Sequence, residues 1–208
     1  MESTDRVAVY QQAVDEAIKI FEELSPESAW NLDGDKNGIK VFTRTDAATG
    51  LKMARGDGRI NRSIEQVLPA IQEATTVLKW DDSIESNTQV EEVGEYTVSR
   101  SIDKKKTFVT QRETVLASKT IIGADGSHLV IGRSVESPKV PETDTYVRAF
   151  IFIWAMKLIP VEGDANKCDA IYMMFLDPKG KVPTTIFNAF VKEQAQNVQK
   201  LKTFCEKQ

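Results

Sequence analysis

Tyr172-Met173-Met174-Phe175-Leu176-Asp177, then Pro178-Lys179-Gly180-Lys181, then Val182-Pro183-Thr184-Thr185-Ile186-Phe187-Asn188-Ala189-Phe190-Val191 is the stretch whose reading decides the fold. Its first six residues end a strand predicted over 167–177. Asp-Pro-Lys-Gly is turn chemistry, because proline presets φ and glycine accepts a left-handed backbone. Pro183 suits the first turn of a helix, where its missing N–H costs nothing. Beyond it Ile186, Phe187, Phe190, Val191, Ala195, Val198, Leu201 and Phe204 recur at steps that put them on one side of a long final helix. Gln194 and Asn188 interrupt that apolar stripe, and Lys192, Lys200 and Lys202 lie on the outer face. Gln194, polar on an inner side, is suited to a headgroup or a bound water.

Upstream the chain is strand-rich. Alternating patterns predict strands over 84–93, 96–102, 107–122, 128–136, 146–161 and 167–177. Hairpin turns fall at Glu92-Val93-Gly94-Glu95 and Gly123-Ala124-Asp125-Gly126. Near the N-terminus Val7, Tyr10, Val14, Ala17, Ile18, Phe21 and Leu24 have helical spacing, with Thr4 as cap and Ser25-Pro26 as stop. Short strands follow around a 33–38 turn and the Ala47-Ala48-Thr49-Gly50 turn. Ser63 and Gln66 form a capping box for a second helix, which Pro69 shortens or kinks. A third short helix is predicted over 75–80. The order is helix, strands, two short helices, a long run of strands, then a helix. This is an α+β class, an antiparallel sheet against a terminal helix, in one domain spanning residues 1–208.

Residues 149–156 are apolar at every position, so both faces of that strand need cover. Two candidates stand side by side: a bound lipid on one face, or helix 1 or helix 2.

Composition narrows the function. The 208 residues carry a net charge of −4, which argues against a broad electrostatic grip on nucleic acid. Cys168 and Cys205, widely spaced, suit free thiols in a reducing compartment. His128 is the lone histidine, which argues against a His-based metal site or a Ser–His or Cys–His dyad. No secretion signal, myristoylation glycine or prenylation box is read at the termini, and the apolar run is far short of the roughly 18–20 residues of a membrane span. The expectation is a soluble, cytoplasmic, monomeric protein with no cofactor.

Asp33-Gly34-Asp35-Lys36-Asn37-Gly38 copies half an EF-hand loop, but Arg44 stands at the twelfth position, where a bidentate glutamate belongs. The segment reads as a turn. Asn61-Arg62-Ser63 matches a glycosylation sequon and reads as a helix start. Asp81 and Asp82 read as a solvated loop. There is no nucleophile elbow or phosphate loop, so no catalytic residue is assigned. An enzyme acting on a hydrophobic substrate would have only Arg100, Arg148 and Glu113 to work with.

The order of landmarks resembles the START family of lipid-transfer domains over nearly the whole chain. Leu78-Lys79-Trp80-Asp81 followed by Gly94-Glu95-Tyr96-Thr97 looks like the family's Trp-Asp and hairpin. Gln111-Arg112-Glu113-Thr114 looks like its Arg-Asp pair, with Glu113 for Asp. Val147-Arg148-Ala149 and Leu158-Ile159-Pro160 look like its Val-Arg and later Pro. The opening stretch, from Asp177-Pro178 through Gly180 and Val182-Pro183 to Asn188, resembles its closing signature. The resemblance implies a helix-grip fold, a curved sheet around the final helix with a tunnel between them. It implies a carrier that moves one sterol, phospholipid or ceramide-like lipid between membranes, or a module that senses one.

The implied tunnel lining is Trp80, Phe108, Arg148, Phe150, Phe152, Trp154, Tyr172, Met174, Phe187, Phe190, Val191, Gln194 and Val198. Lys104, Lys105 and Lys106, near the family's gating loop, are the implied contact with a membrane surface. Two departures accompany the match. The charged pair many members place on neighbouring strands falls at Ile102 and Ser118, and a small residue of the long strand gives way to Phe152-Ile153-Trp154. Added bulk there is expected to shorten the tunnel.

Overall fold

In the computed structural model, which describes residues 3–106 and 109–208, helix α1 (Ser3–Leu24) opens the chain. Thr4 lies within its first turn rather than before it. A 3-10 turn (Glu27–Ala29) leads to β1 (Asn31–Lys36), β2 (Ile39–Thr45) and β3 (Lys52–Ile60). Two short helices, α2 (Ile64–Gln72) and α3 (Ala74–Val77), interrupt the strands. Then come β4 (Ile84–Val93), β5 (Tyr96–Asp103), β6 (Arg112–Ile122), β7 (His128–Ser134), β8 (Val147–Arg148), β9 (Phe150–Val161) and β10 (Asp164–Asp177). Helices α4 (Thr184–Gln194) and α5 (Asn197–Cys205) close it.

The described strands form one sheet in the order β1-β2-β3-β10-β9-β7-β6-β5-β4, with β8 beside β6. Every pairing is antiparallel except β6 with β8. Neighbours in sequence pair in the sheet except at β8, which lies beside β6 rather than β7 or β9, and where α2 and α3 carry the chain from β3 to β4. That crossover lets β10 return to pair with β3.

Both faces of the sheet are buried. On one face Tyr10, Val14, Ala17 and Phe21 of α1 pack on Met53, Val98, Val115, Ile131, Ile153, Ala155, Met173 and Phe175. On the other, α2, α4 and α5 pack on Ala54, Val130, Ile151, Met156, Tyr172, Met174 and Leu176. Strand alternation divides the two sets, Met173 and Phe175 to one side, Tyr172, Met174 and Leu176 to the other. The all-apolar 149–156 run is thereby explained: α1 covers its outer face, while the helices and a cavity meet its inner face. A bulge sits in this run. Phe175 pairs with Ile153 and Leu176 with Ile151, so Phe152 is the extra residue and the alternation shifts there.

Several local expectations change. The 33–38 turn shrinks to Asn37-Gly38, with φ of 57° and 73°, and Asp33 to Lys36 belong to β1. Two successive left-handed residues make the tight hairpin that matches strand twist, and the Asn-Gly pair adopts it readily. The 107–122 strand is described as strand from Arg112, and the predicted 75–80 helix is only the four residues of α3. The single long final helix is two. Gln196 N bonds Glu193 O at 3.0 Å, a three-residue closure that tightens the backbone before α5 starts. The inward residues Phe187, Val191, Gln194, Val198, Leu201 and Cys205 keep steps of four and three across the break, so the stripe stays in phase. At α2 the capping box forms, with Gln66 Oε1 accepting from the Ser63 N–H at 3.1 Å.

Gly56 and Gly58 of β3 fix how closely the helices approach. A Cβ on Gly56 would lie 2.1 Å from Ala195 O, at the break between α4 and α5. Only glycine permits that approach.

Candidate functional site

Between α4, α2–α3 and the inner face of β4–β10 lies a cavity of ≈ 480 Å³. It is within the usual range of small-molecule pockets, ~300–1,000 Å³. Its two walls differ in chemistry. One carries Trp80, Val130, Ile151, Trp154, Met174, Leu176 and Phe190. The other, from β4, β5 and β6, carries Asn87, Thr97, Ser99, Ser101, Thr114, Ser118 and Thr120. At one end the exposed Gln72, Gln89, Glu92 and Glu95 open it to solvent. At the other end Asp103, Leu176 and Phe190 separate it from a second void of ≈ 50 Å³, lined also by Lys104, Lys106, Val109, Val182 and Phe187.

The inner end holds a buried hydrogen-bond network. The Tyr172 hydroxyl donates to Gln194 Oε1 at 3.0 Å, and Gln194 Nε2 donates to Ser83 Oγ at 3.1 Å. Ser83 Oγ donates to Asp81 Oδ1 at 2.6 Å, and Asn197 Nδ2 reaches Gln194 Oε1 at 2.9 Å. Burial holds the Tyr172 phenol well above its ordinary pKa, so it is a neutral donor here. Asp81 is therefore buried rather than in a solvated loop; Asp82 is exposed and takes Lys200 Nζ at 2.5 Å. Helix α4 delivers Gln194, α5 delivers Asn197 and β10 delivers Tyr172, which ties the helix break to the sheet.

Of the residues singled out in the sequence, Trp80, Trp154, Met174, Phe190 and Gln194 line the main cavity, and Phe187 lines the smaller void. Tyr172 stands behind the wall, edge-on to Trp154 with centroids 6.2 Å apart. Val191 and Val198 are buried in the contact of α4 and α5 with the sheet. Phe150 and Phe152 lie elsewhere. Their rings are 5.1 Å apart, Phe152 stacks on Phe175 at 4.5 Å, and the Arg133 guanidinium lies over both. The bulge at Phe152 is the reason: it turns that ring toward the α1 side and leaves Ile151 and Trp154 facing the cavity. Phe108 lies outside the described residues.

Arg148 is also away from the cavity, in a buried charge cluster. Glu113, 1% exposed, receives Arg100 Nη2 at 2.6 Å and Arg148 Nη2 at 2.9 Å. Arg148 also donates to Val140 O at 3.0 Å, and Tyr146 stacks on Arg100 at 5.4 Å. The three groups saturate one another, and the cluster pins β8 and the 135–146 loop to β6. Lys104 and Lys105 are exposed, whereas Lys106 turns toward α4, 4.8 Å over the Phe190 ring and 3.8 Å from Glu193. Ser118 lines the cavity but Ile102 does not.

The polar wall escaped the sequence reading. Thr97, Ser99, Ser101 and Asp103 alternate on β5, as Thr114, Ser118 and Thr120 do on β6, and such a stripe ordinarily marks a solvent face. Among the described residues no group of three His, Cys, Asp or Glu side chains is placed to hold a metal ion. Cys168 and Cys205 are buried free thiols, pushed by burial to about 12 and about 11. No helix among the described residues is long and apolar enough to cross a membrane.

Comparison with known proteins follows the same lines. The family model for the START domain matches residues 12–207. StAR-related lipid transfer protein 5 of Bos taurus is 22% identical over 184 residues, covering 85% of this chain and 86% of that one. The mitochondrial steroidogenic acute regulatory protein of Homo sapiens is 22% identical over 205 residues, covering 91% of this chain and 68% of that protein. Among solved structures, human StAR-related lipid transfer protein 5 superposes with a TM-score of 0.85 at 18% identity, covering 95% of this chain and 96% of that one. A STAR-related lipid transfer protein fragment from Xanthomonas axonopodis gives 0.74 at 22% identity, covering 86% and 99%.

Proposed function

The chain belongs to the START domain family, and from that premise we propose that it binds one lipid in the cavity and carries it between membranes. The observation that carries this reading is the cavity itself: ≈ 480 Å³ of space faced by Trp80, Ile151, Trp154, Met174 and Phe190 in the interior of the fold. Apolar surface facing an interior space of that size is stabilised by an apolar occupant, at roughly 25 cal/mol per Å² removed from water. A sterol, a phospholipid or a ceramide-like lipid supplies such surface, and Gln194 offers the polar end a partner.

The passage in and out is proposed at the smaller void. There Lys106, on the 104–106 loop after β5, holds Phe190 and Glu193 of α4, and release of that contact joins the two voids. Lys104 and Lys105, exposed on the same loop, are proposed with Lys106 as the membrane contact, each lysine near an anionic surface contributing on the order of 1 kcal/mol. The carrier acts as one domain and as a monomer in the cytoplasm, with no cofactor. A carrier is favoured over an enzyme because Arg100, Glu113 and Arg148 bond to one another and not to the cavity.

Native mass spectrometry of the protein purified from cells, with lipid extraction and uptake from liposomes, tests the reading. The expected result is one lipid per chain. No stoichiometric lipid together with no uptake would overturn it.

A further inference from the structure

Asp103, the last residue of β5, is the group on which the two voids meet, since it lines both. Among the described residues no side chain or backbone donor bonds its carboxylate. The cations near it are engaged elsewhere. Lys106 lies over Phe190 and near Glu193, and Arg112 donates to Pro178 O at 3.2 Å and Lys179 O at 3.0 Å. Asp81, on the loop after α3, and Glu193, on α4, add negative charge on its other sides. Asp81 by contrast is satisfied, by Ser83 and Asn197. Among the described residues, Lys119 is the one basic residue lining the main cavity. It stands at the open end, 3.1 Å from Glu95. The inner end of the main cavity therefore carries the negative charge of Asp103 and Asp81, with Asp103 the carboxylate left without a hydrogen-bond donor among the described residues; Lys106 and Arg112 approach it only from the smaller void.

We propose that the cavity selects amphiphiles whose polar end is a protonated amine, with Asp103 as the group that receives it, and rejects those whose polar end is an anion. This inference rests on the lipid-carrier reading and narrows its ligand class. The hydrocarbon body lies on the Trp154 and Met174 wall, while hydroxyls beside the amine meet Ser99, Ser101 and Thr114 on the opposite wall. A carboxylate or phosphate in the same place faces Asp103 and Asp81, while Lys106 is held at Glu193 and Arg112 at the Pro178 and Lys179 carbonyls, and like charges in a partly dry site repel strongly. Half-buried and crowded by protein, Asp103 has its pKa pushed up to about 6, chiefly by burial. It is thus mostly ionised at neutral pH and takes up a proton in mild acid. A primary amine stays protonated throughout, its ordinary pKa being about 10.4.

The test is competition of octadecylamine, octadecanol and octadecanoate for a fluorescent fatty alcohol bound to the whole protein. Near neutral pH the amine is expected to bind about tenfold tighter than the alcohol, the lower end of what a hydrogen bond to a charged group contributes, and the carboxylate weakest. Asp103→Asn should bring the amine to the level of the alcohol, read as the ratio of the two affinities in the same variant, with circular dichroism reporting that the fold is kept. In the unmodified protein the preference should shrink by about pH 5, as Asp103 loses its charge. A carboxylate that binds as well as the amine, or an Asp103→Asn variant that keeps the preference, overturns the proposal. If the fluorescent alcohol and all three competitors fail to bind, the carrier reading falls and the proposal with it.

Discussion

Glu113→Gln is the substitution that separates structural charge from ligand-binding charge in this fold. The carboxylate is 1% exposed and accepts from both Arg100, Nε at 2.8 Å and Nη2 at 2.6 Å, and Arg148, Nε at 3.2 Å and Nη2 at 2.9 Å. Glutamine keeps the size and removes the charge, leaving two guanidiniums that share one neutral oxygen. Breaking a buried ion pair costs about 3–5 kcal/mol. The Arg100 side chain is 30% exposed, so water recovers part of its loss, and about 2–4 kcal/mol is expected. At about 2–4 °C per kcal/mol for a domain of this size, Tm should fall by about 4–16 °C. Because Glu113 lies outside the cavity, lipid stoichiometry measured below the transition should not change. Thermal unfolding followed by circular dichroism, with lipid uptake in parallel, reads both quantities. A loss of uptake with a stability change under about 0.5 kcal/mol would refute the reasoning, because it would make Glu113 a ligand contact or a catalytic acid.

Gly56→Ala should destabilise by about 1–3 kcal/mol in urea unfolding, because its Cβ would meet Ala195 O at 2.1 Å, whereas Gly34→Ala, with nothing within 4 Å, should be near neutral; equal effects would mean that the close approach is absent. Val191→Asp buries an unpaired carboxylate and should abolish folding, while Phe190→Asp, on the partition between the two voids, should weaken lipid uptake and keep the fold. If both variants bind and melt like the parent, the inward face of α4 is misassigned. Changing Lys104, Lys105 and Lys106 together to Ala should slow transfer between anionic liposomes with little effect on equilibrium binding. That deficit should shrink with neutral liposomes or high salt, since the attraction is screened beyond about 8 Å at physiological ionic strength. A deficit indifferent to lipid charge and salt would place the fault in the contact of Lys106 with α4.

The sequence by itself determined the class of fold and the order of its parts. Periods of two and near three and a half are properties of neighbouring residues, so the N-terminal helix, the antiparallel strands and the inward stripe from Phe187 to Phe204 were all legible. So was Gln194 as the polar member of that stripe. Which face each apolar residue serves was decided only in three dimensions. The strand over 149–156 is apolar throughout, and nothing local says that α1 takes Ile153 and Ala155 while the cavity takes Ile151 and Trp154. That division depends on a bulge at Phe152, defined by register with β10. The break between α4 and α5 was hidden for a related reason: the stripe runs through it in phase, and its cause lies in contacts with β3 and Asp81, far away in the chain. The polar wall of the cavity was hidden most completely. Alternating serine and threonine look the same whether they face water outside a protein or a cavity within it. Only the placement of α2, α3 and α4 over β4, β5 and β6 turns that face into the lining of a site.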